Sequence, residues 1–312
     1  MERELSSSSN APVSRKSSLR ALGGELRRGL PGLAFISPWL FGFAVFTAGP
    51  FLTSIYLSFT RYNIVSAPRW VGVQNYAVLA GDPVFWHSLE LTLLYALAAV
   101  PLAVLAGVGL SLLLNFEVRG IGFYRTIFFL PSIVPTVATT VVFVWVLNPQ
   151  IGLVNSLLRA IGVTGPAWLK EPKWTFASLV MMALWGVGGS MVTYLAGLKD
   201  IPVHLYEAAL LDGASALQRL RFVTLPMLTP VIFFNLVMSV IASFQYFTQA
   251  YMLLNQQAPE EATRFLAVYL FERAWRYLDM GYASAMAWVL FLVIALVTGV
   301  LFRTQKRWVH YG

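Results

Sequence analysis

The chain has 312 residues, of which 58% are hydrophobic and 12% charged, and its mean hydropathy is +0.68. Soluble domains carry about a quarter charged residues, so this composition excludes a soluble protein and predicts an all-α integral membrane protein. The net charge of +8 then reports on membrane topology rather than on nucleic-acid binding, and the absence of cysteine excludes disulfides and thiolate metal sites.

The first 30 residues are rich in serine, from Ser6 to Ser9, and in basic residues. This pattern predicts a disordered basic cytoplasmic tail over residues 1–30. A signal peptide is excluded because the apolar run that follows is too long and has no clear small-residue cleavage site. The remainder, residues 31–312, is predicted to be one six-span transmembrane domain.

Six apolar runs are each long enough to cross a bilayer, which takes about twenty residues. The predicted spans cover residues 33–59, 92–114, 124–147, 174–197, 227–253 and 282–302. Pro131 and Pro135 predict a broken third span, and the cluster around Gly188 allows close packing or an unwound segment in the fourth. The turn-rich stretch 60–86 is predicted to be an outside loop with short surface helices.

The polar stretch 198–226 separates the fourth and fifth spans. Asp200 and Pro202 predict the start of a helix, Gly213 its end, and Ser215 the cap of a second helix. Glu207 lies mid-helix with no Lys or Arg three or four positions away, so its partner is expected on another chain.

Basic residues are distributed unevenly between the two faces of the predicted membrane domain. Of the 22 Lys and Arg residues, 14 lie in the tail, the second-to-third loop, residues 198–226 and the C-terminal segment. By the positive-inside rule both termini and the 198–226 loop are predicted to be cytoplasmic.

The sequence offers no chemistry of its own for driving transport. The predicted spans hold no charged residue away from their ends, whereas ion-coupled carriers usually need one near the midplane. A nucleotide-binding GxxxxGK[ST] loop is missing, and His87, His204 and His310 lack metal-ligand spacing. We therefore predict no catalysis, no cofactor and no metal, and expect the energy to come from a separate motor.

The 198–226 loop resembles the EAA loop of bacterial ABC importer permeases, in the form Y-EAA-xx-DGA followed by LP. The residues that match are Glu207, Ala208, Ala209, Asp212, Gly213, Leu225 and Pro226. The stretches SFTRYN from Ser58, VGVQNY from Val71, GLVNSLL from Gly152 and MGYASAMAW from Met280 are similar to carbohydrate importer permeases. The resemblance covers residues 33 to 305.

This resemblance implies a type I ABC importer permease fold with a cytoplasmic coupling helix, in the bacterial inner membrane. The implied function is transport of a sugar or related polyol into the cytoplasm. The implied partners are a homologous second permease, two copies of a cytoplasmic ATP-binding subunit and an extracytoplasmic solute-binding protein. The alternatives are a glycerol-3-phosphate-type ABC permease and a stand-alone six-span carrier or channel.

Neutral polar and aromatic side chains within the spans are candidates for the substrate path, because sugars stack on aromatic rings and need no fixed charge. These candidates are Trp145, Trp185, Asn235, Gln245, Tyr246 and Thr248. The competing interpretation is that they form hydrogen bonds between helices.

The segment 255–263 departs from the pattern of carbohydrate importer permeases, because only Pro259 and Thr263 match it. This difference affects how a binding protein would dock.

Overall fold

The computed structural model describes residues 35–116 and 118–310, so the predicted tail over residues 1–30 lies outside the described residues. The chain divides into two compact units that meet in sequence after Tyr56. The first unit holds most of helix α1, Phe35–Ser58. A widened turn at Ala44–Ala48 directly precedes Pro50 in this helix. Such a turn relieves the clash of the proline ring with the carbonyl of the preceding turn.

The second unit is almost entirely helical. Its elements are β1 (Thr60–Arg61), β2 (Arg69–Trp70), α2 (Gln74–Ala80), α3 (Pro83–Leu114), α4 (Ile121–Ile133), α5 (Thr136–Val146), α6 (Leu153–Ala160), α7 (Pro172–Trp185), α8 (Gly188–Lys199), α9 (Val203–Leu211), α10 (216–244), α11 (Thr248–Asn255), α12 (Glu260–Thr263), α13 (Leu266–Phe271) and α14 (Met280–Gln305). Within the described ranges, four helical segments could cross a membrane, or six if α4 with α5 and α7 with α8 each form one span.

The third span is bent by 99° between α4 and α5. Pro135 has no backbone N–H and forces the preceding residue out of the helical region, so Val134 is extended with ψ of 130°. The predicted break is therefore present at this proline, whereas Pro131 is accommodated inside α4.

Helix α3 organises the core of the second unit. Its buried side chains contribute to all three apolar clusters, through Tyr95 in the first, Phe85 in the second and Val108 in the third. The helix begins at Pro83, ahead of the predicted span start at residue 92, and its 32 residues exceed the twenty or so that a bilayer requires. The added turns carry Glu90, which is exposed.

Residues of three helices, α3, α13 and α14, meet at Asp82. Its Oδ1 accepts the backbone N–H of Val84 and caps α3, while its Oδ2 accepts the hydroxyls of Tyr269 and Tyr282, each at 2.6 Å. Burial raises the pKa of this carboxyl, but these hydrogen bonds outweigh it and hold the pKa below its ordinary value. Burial and the neighbouring Asp82 raise the pKa of Tyr269 to about 12.

The outside loop 60–86 contains more than the predicted short helices. Strands β1 and β2 pair antiparallel, with Thr60 opposite Trp70. The side-chain amide of Asn75 donates to the carbonyls of Ser58 and Thr60 at 2.8 and 2.9 Å. These long-range hydrogen bonds hold α2 against the hairpin, and the periodicity of the sequence does not predict them.

Candidate coupling surface and transmembrane cavity

Helix α9 lies in the polar stretch between the fourth and fifth spans. Pro202 precedes it with an extended backbone, and the helix ends where Gly213 adopts a φ of +75°. That conformation lets the N–H of Gly213 reach the carbonyl of Leu210 and the N–H of Ala214 reach that of Ala209. Proline and glycine thus limit α9 to nine residues.

The two faces of α9 differ in their surroundings. On the inner face, Leu205 and Tyr206 pack against the apolar cluster of Tyr194 and Leu228. The outer face presents exposed apolar side chains, with Leu211 90% exposed. The other exposed side chains of this face are Val203, Glu207, Ala208, Leu210 and Asp212. Among the described residues no cation pairs with Glu207, so this face combines exposed apolar area with unpaired negative charge.

Helix α9 is joined closely to the fifth span. Ser215 and Gln218 form a reciprocal capping box that starts α10 directly after the Gly213 turn. The hydroxyls of Tyr206 and Thr224 lie 3.1 Å apart and connect α9 to α10. Because α10 begins at Ala216, Leu225 and Pro226 lie within this helix and not in a loop. The capping box and the hydroxyl contact thus join α9 directly to α10.

A cavity of about 200 Å³ lies between α3, α7 and α10. Tyr95 and Tyr246 form one wall, with ring centroids 4.4 Å apart. Ser239 and Ser243 supply hydroxyls, and the rest of the lining is small and apolar. The Tyr246 hydroxyl is buried and has no hydrogen-bond partner among the described residues. A buried hydroxyl without a partner is costly, so this site is suited to a ligand that supplies a hydrogen bond.

The predicted path residues do not form one group. Tyr246 lines the cavity, and Gln245 precedes it in the non-helical break between α10 and α11. Trp185 contributes to a separate cavity beside α4 and Trp145 is 73% exposed. Thr248, which starts α11, is half-buried.

Asn235 also lies away from the cavity. It is buried and donates to the Val231 carbonyl of its own helix at 2.9 Å. This hydrogen bond stays within one helix, so for Asn235 it matches neither a place in the cavity nor the predicted alternative of a hydrogen bond between helices.

Tyr95 is the cavity residue that sequence reasoning missed. It lies on α3 with Ala99 and Ala103 at successive intervals of four, so one helix face carries a ring above two small residues. That spacing was the available signal, since small side chains leave the volume that becomes the cavity.

Residues 91–310 match the family described as binding-protein-dependent transport system inner membrane component. The matched range contains α9 and all the residues that line the cavity. The chain belongs to this family. It is therefore a multi-pass membrane permease, and the exposed helix and the cavity are parts of a transport protein.

Named relatives match the permease over most of its length. It is 42% identical to the probable ABC transporter permease YesP of Bacillus subtilis, over 90% of this chain and 92% of that protein. It is 34% identical to SmoG of Agrobacterium fabrum, a sulfoquinovosyl glycerol transport system permease, over 81% and 83%. It is 32% identical to the lactose transport system permease LacF of Rhizobium radiobacter, over 88% and 94%.

The permease also shares its fold with a solved structure. A chain of a bacterial alginate ABC transporter, in complex with an alginate-bound periplasmic protein, superposes with a TM-score of 0.81 at 22% identity. The match covers 91% of this chain and 96% of that one. The predicted fold class, an all-α type I importer permease, is confirmed.

Proposed function

We propose that this permease carries a sugar or related polyol into the cytoplasm as one transmembrane subunit of an ABC importer. Its partners are a homologous second permease, two copies of an ATP-binding subunit and an extracytoplasmic solute-binding protein. Both termini and α9 face the cytoplasm. The carbohydrate names of SmoG and LacF support the substrate class, and the excess of basic residues on one side supports the orientation.

The observation that carries this proposal is the outer face of α9. Exposed Leu210 and Leu211 with unpaired Glu207 form a short apolar and acidic ridge, which suits a groove on an ATPase. When the ATPase dimer closes, α9 moves with it, and the Tyr206 to Thr224 contact passes the motion to α10. Because α10 also forms one wall of the cavity, closure at the ATPase alters access to the substrate.

The cavity favours a neutral ligand over an anionic one. Its lining contains two tyrosines and two serines but no basic side chain. A glycerol phosphate in this apolar setting would need a compensating cation. A sugar ring instead stacks on an aromatic face and exchanges hydrogen bonds with hydroxyls, as the Tyr95 and Tyr246 wall permits.

The coupling role is tested with Glu207→Lys in the assembled importer. The substitution reverses the charge of the α9 ridge, so we expect sugar uptake to be lost while the chain remains in the membrane at normal amount. The matched control is Glu171→Lys, an exposed carboxylate just before α7 on the opposite side by the positive-inside assignment, which is expected to keep its uptake. Normal uptake by the Glu207→Lys importer would contradict the assignment.

The substrate class is tested by competition. Unlabelled mono- and disaccharides are expected to compete for uptake, whereas glycerol 3-phosphate is not. Tyr246→Ala removes part of one wall of the cavity and is expected to reduce uptake at least tenfold. The substitution removes an aromatic ring on which the sugar stacks and a hydroxyl that binds it, which together contribute about 1.5 to 3 kcal/mol. Competition by glycerol 3-phosphate alone would favour the anionic alternative.

A further inference from the structure

A groove of about 440 Å³ lies beside the coupling helix, apart from the substrate cavity. It is formed where the end of α3 meets α9 and the first turns of α10. Its main lining residues are Leu112, Phe116, Tyr206, Leu217, Arg219 and Leu220. Most of this lining is apolar, and the groove opens at the surface because Phe116 is 64% and Leu217 73% exposed.

Arg219 is the cation in this groove. Its side chain is half-buried, and its guanidinium has no hydrogen bond or ion pair with any described residue. By contrast, Arg125 on α4 donates twice to the Leu114 carbonyl, and Arg221 lies exposed over the ring of Phe222. A guanidinium in apolar surroundings is stabilised by an anion that accepts its forked hydrogen bonds, and phosphate has the matching geometry.

The position of the groove adds a second requirement. It lies at the end of α3 and the start of α10, two segments that are long and apolar enough to cross a membrane, so we expect its open apolar rim to meet lipid acyl chains. The ligand that fits has a phosphate head for Arg219 and an apolar tail for Leu112 and Phe116. We propose that this groove binds an anionic phospholipid of the cytoplasmic leaflet, which rests on the orientation assigned under the proposed function.

Such a lipid would lie at the joint that connects α9 to the fifth span. Tyr206 belongs both to the groove and to the hydroxyl contact with Thr224. A bound phospholipid fills the space between these elements and stiffens their connection. The rate of transport should therefore rise with the anionic lipid content of the membrane.

The binding test uses the purified full-length chain in detergent with phosphatidylglycerol and phosphatidylcholine of equal chain length. Retained lipid is counted by native mass spectrometry. Both lipids offer a phosphate to Arg219, but only phosphatidylglycerol is anionic, because the choline ammonium offsets the charge of the phosphate in phosphatidylcholine. The wild-type chain is therefore expected to prefer phosphatidylglycerol about tenfold, which corresponds to about 1.4 kcal/mol. Arg219→Gln abolishes this preference, Arg219→Lys retains part of it, and the control Arg221→Gln leaves it unchanged.

Three results would overturn the proposal. These are equal retention of the two lipids by the wild-type chain, equal losses in Arg219→Gln and Arg221→Gln, and saturation of the site by inorganic phosphate with no lipid bound. A diazirine-labelled phosphatidylglycerol that does not label peptides from 112–116 or 216–224 of the wild-type chain would also overturn it, whatever the folding of the variants.

The outcome is separable from that of the proposed function. Lipid preference without copurification of an ATPase would contradict the importer assignment alone. Copurification without lipid preference would contradict the lipid site alone.

Discussion

At the scale of single residues, close approaches and isolated charges fix the geometry of the permease. Gly188 starts α8 where a Cβ would overlap the carbonyl oxygen of Phe128, so α4 and α8 touch through backbone. Asp82 accepts hydrogen bonds from two tyrosine hydroxyls and from the first turn of α3. A small substitution at either residue is therefore expected to lower the stability of the fold.

Gly188→Ala is expected to lower the free energy of unfolding by about 1 to 3 kcal/mol, because the added methyl group forces α4 and α8 apart. The control is Gly186→Ala, where the nearest atom to the new Cβ is 3.9 Å away. Thermal melting of the purified chain measures both. Equal melting temperatures for the two variants would show that the close contact does not contribute to stability.

Asp82→Asn is expected to destabilise the fold by about 1 kcal/mol at neutral pH, because a neutral amide is a weaker acceptor for the Tyr269 and Tyr282 hydroxyls. Since the pKa of Asp82 is lowered in the folded chain, its contribution is complete above about pH 4 and is lost as the pH falls through the folded value. The difference in stability between the wild type and the variant should therefore disappear on acidification below pH 4. An advantage independent of pH in melting experiments would contradict this role.

At the scale of elements, the main feature is the joint between α9 and α10. Two local signals shape it, the positive φ of Gly213 and the capping box of Ser215. One tertiary contact then locks it, the pair of hydroxyls on Tyr206 and Thr224. The joint is stiff because a reciprocal cap leaves no flexible residue between the turn and the helix.

Tyr206→Phe keeps the packing of the ring but removes the hydroxyl contact, at a cost of about 1 kcal/mol. In the reconstituted importer we expect fewer sugar molecules transported per ATP hydrolysed, because α9 follows the ATPase without moving α10. Tyr124→Phe, on the exposed surface of α4, serves as the control. An unchanged transport ratio in Tyr206→Phe would mean that the motion passes through the capping box alone.

At the scale of the whole molecule, the distribution of charge decides how transport is driven. Among the described helices that could cross a membrane, the charged side chains lie near the ends, such as Glu90 in the first turns of α3 and Arg125 in the first turns of α4. The lining of the cavity contains no carboxylate and no basic side chain, the groups through which ion-coupled carriers usually bind a proton.

The chain alone, reconstituted in vesicles, is therefore expected not to concentrate a sugar under a proton or sodium gradient. The complex with its ATPase is expected to concentrate it when ATP is supplied. Accumulation by the solitary chain, measured with radiolabelled sugar, would favour the stand-alone carrier.

The sequence by itself determined the features that depend on local chemistry. Apolar runs of bilayer length marked the spans, and Pro135 placed a break because it constrains its own neighbour. The pattern around Glu207 and Gly213 indicated the helix between the fourth and fifth spans. The roles of Glu207 and its neighbours in coupling stay predictions.

Only the tertiary structure decided which side chains from distant spans meet. Tyr95 and Tyr246 are 151 positions apart and share a wall, while Asn235 turns to its own backbone. The early start of α10 at Ala216 depends on packing against α3 and α9, which continues a helix through the charged surface layer. Helical periodicity gives the faces of each span, but the partner of each face is set by close packing of the assembled helices.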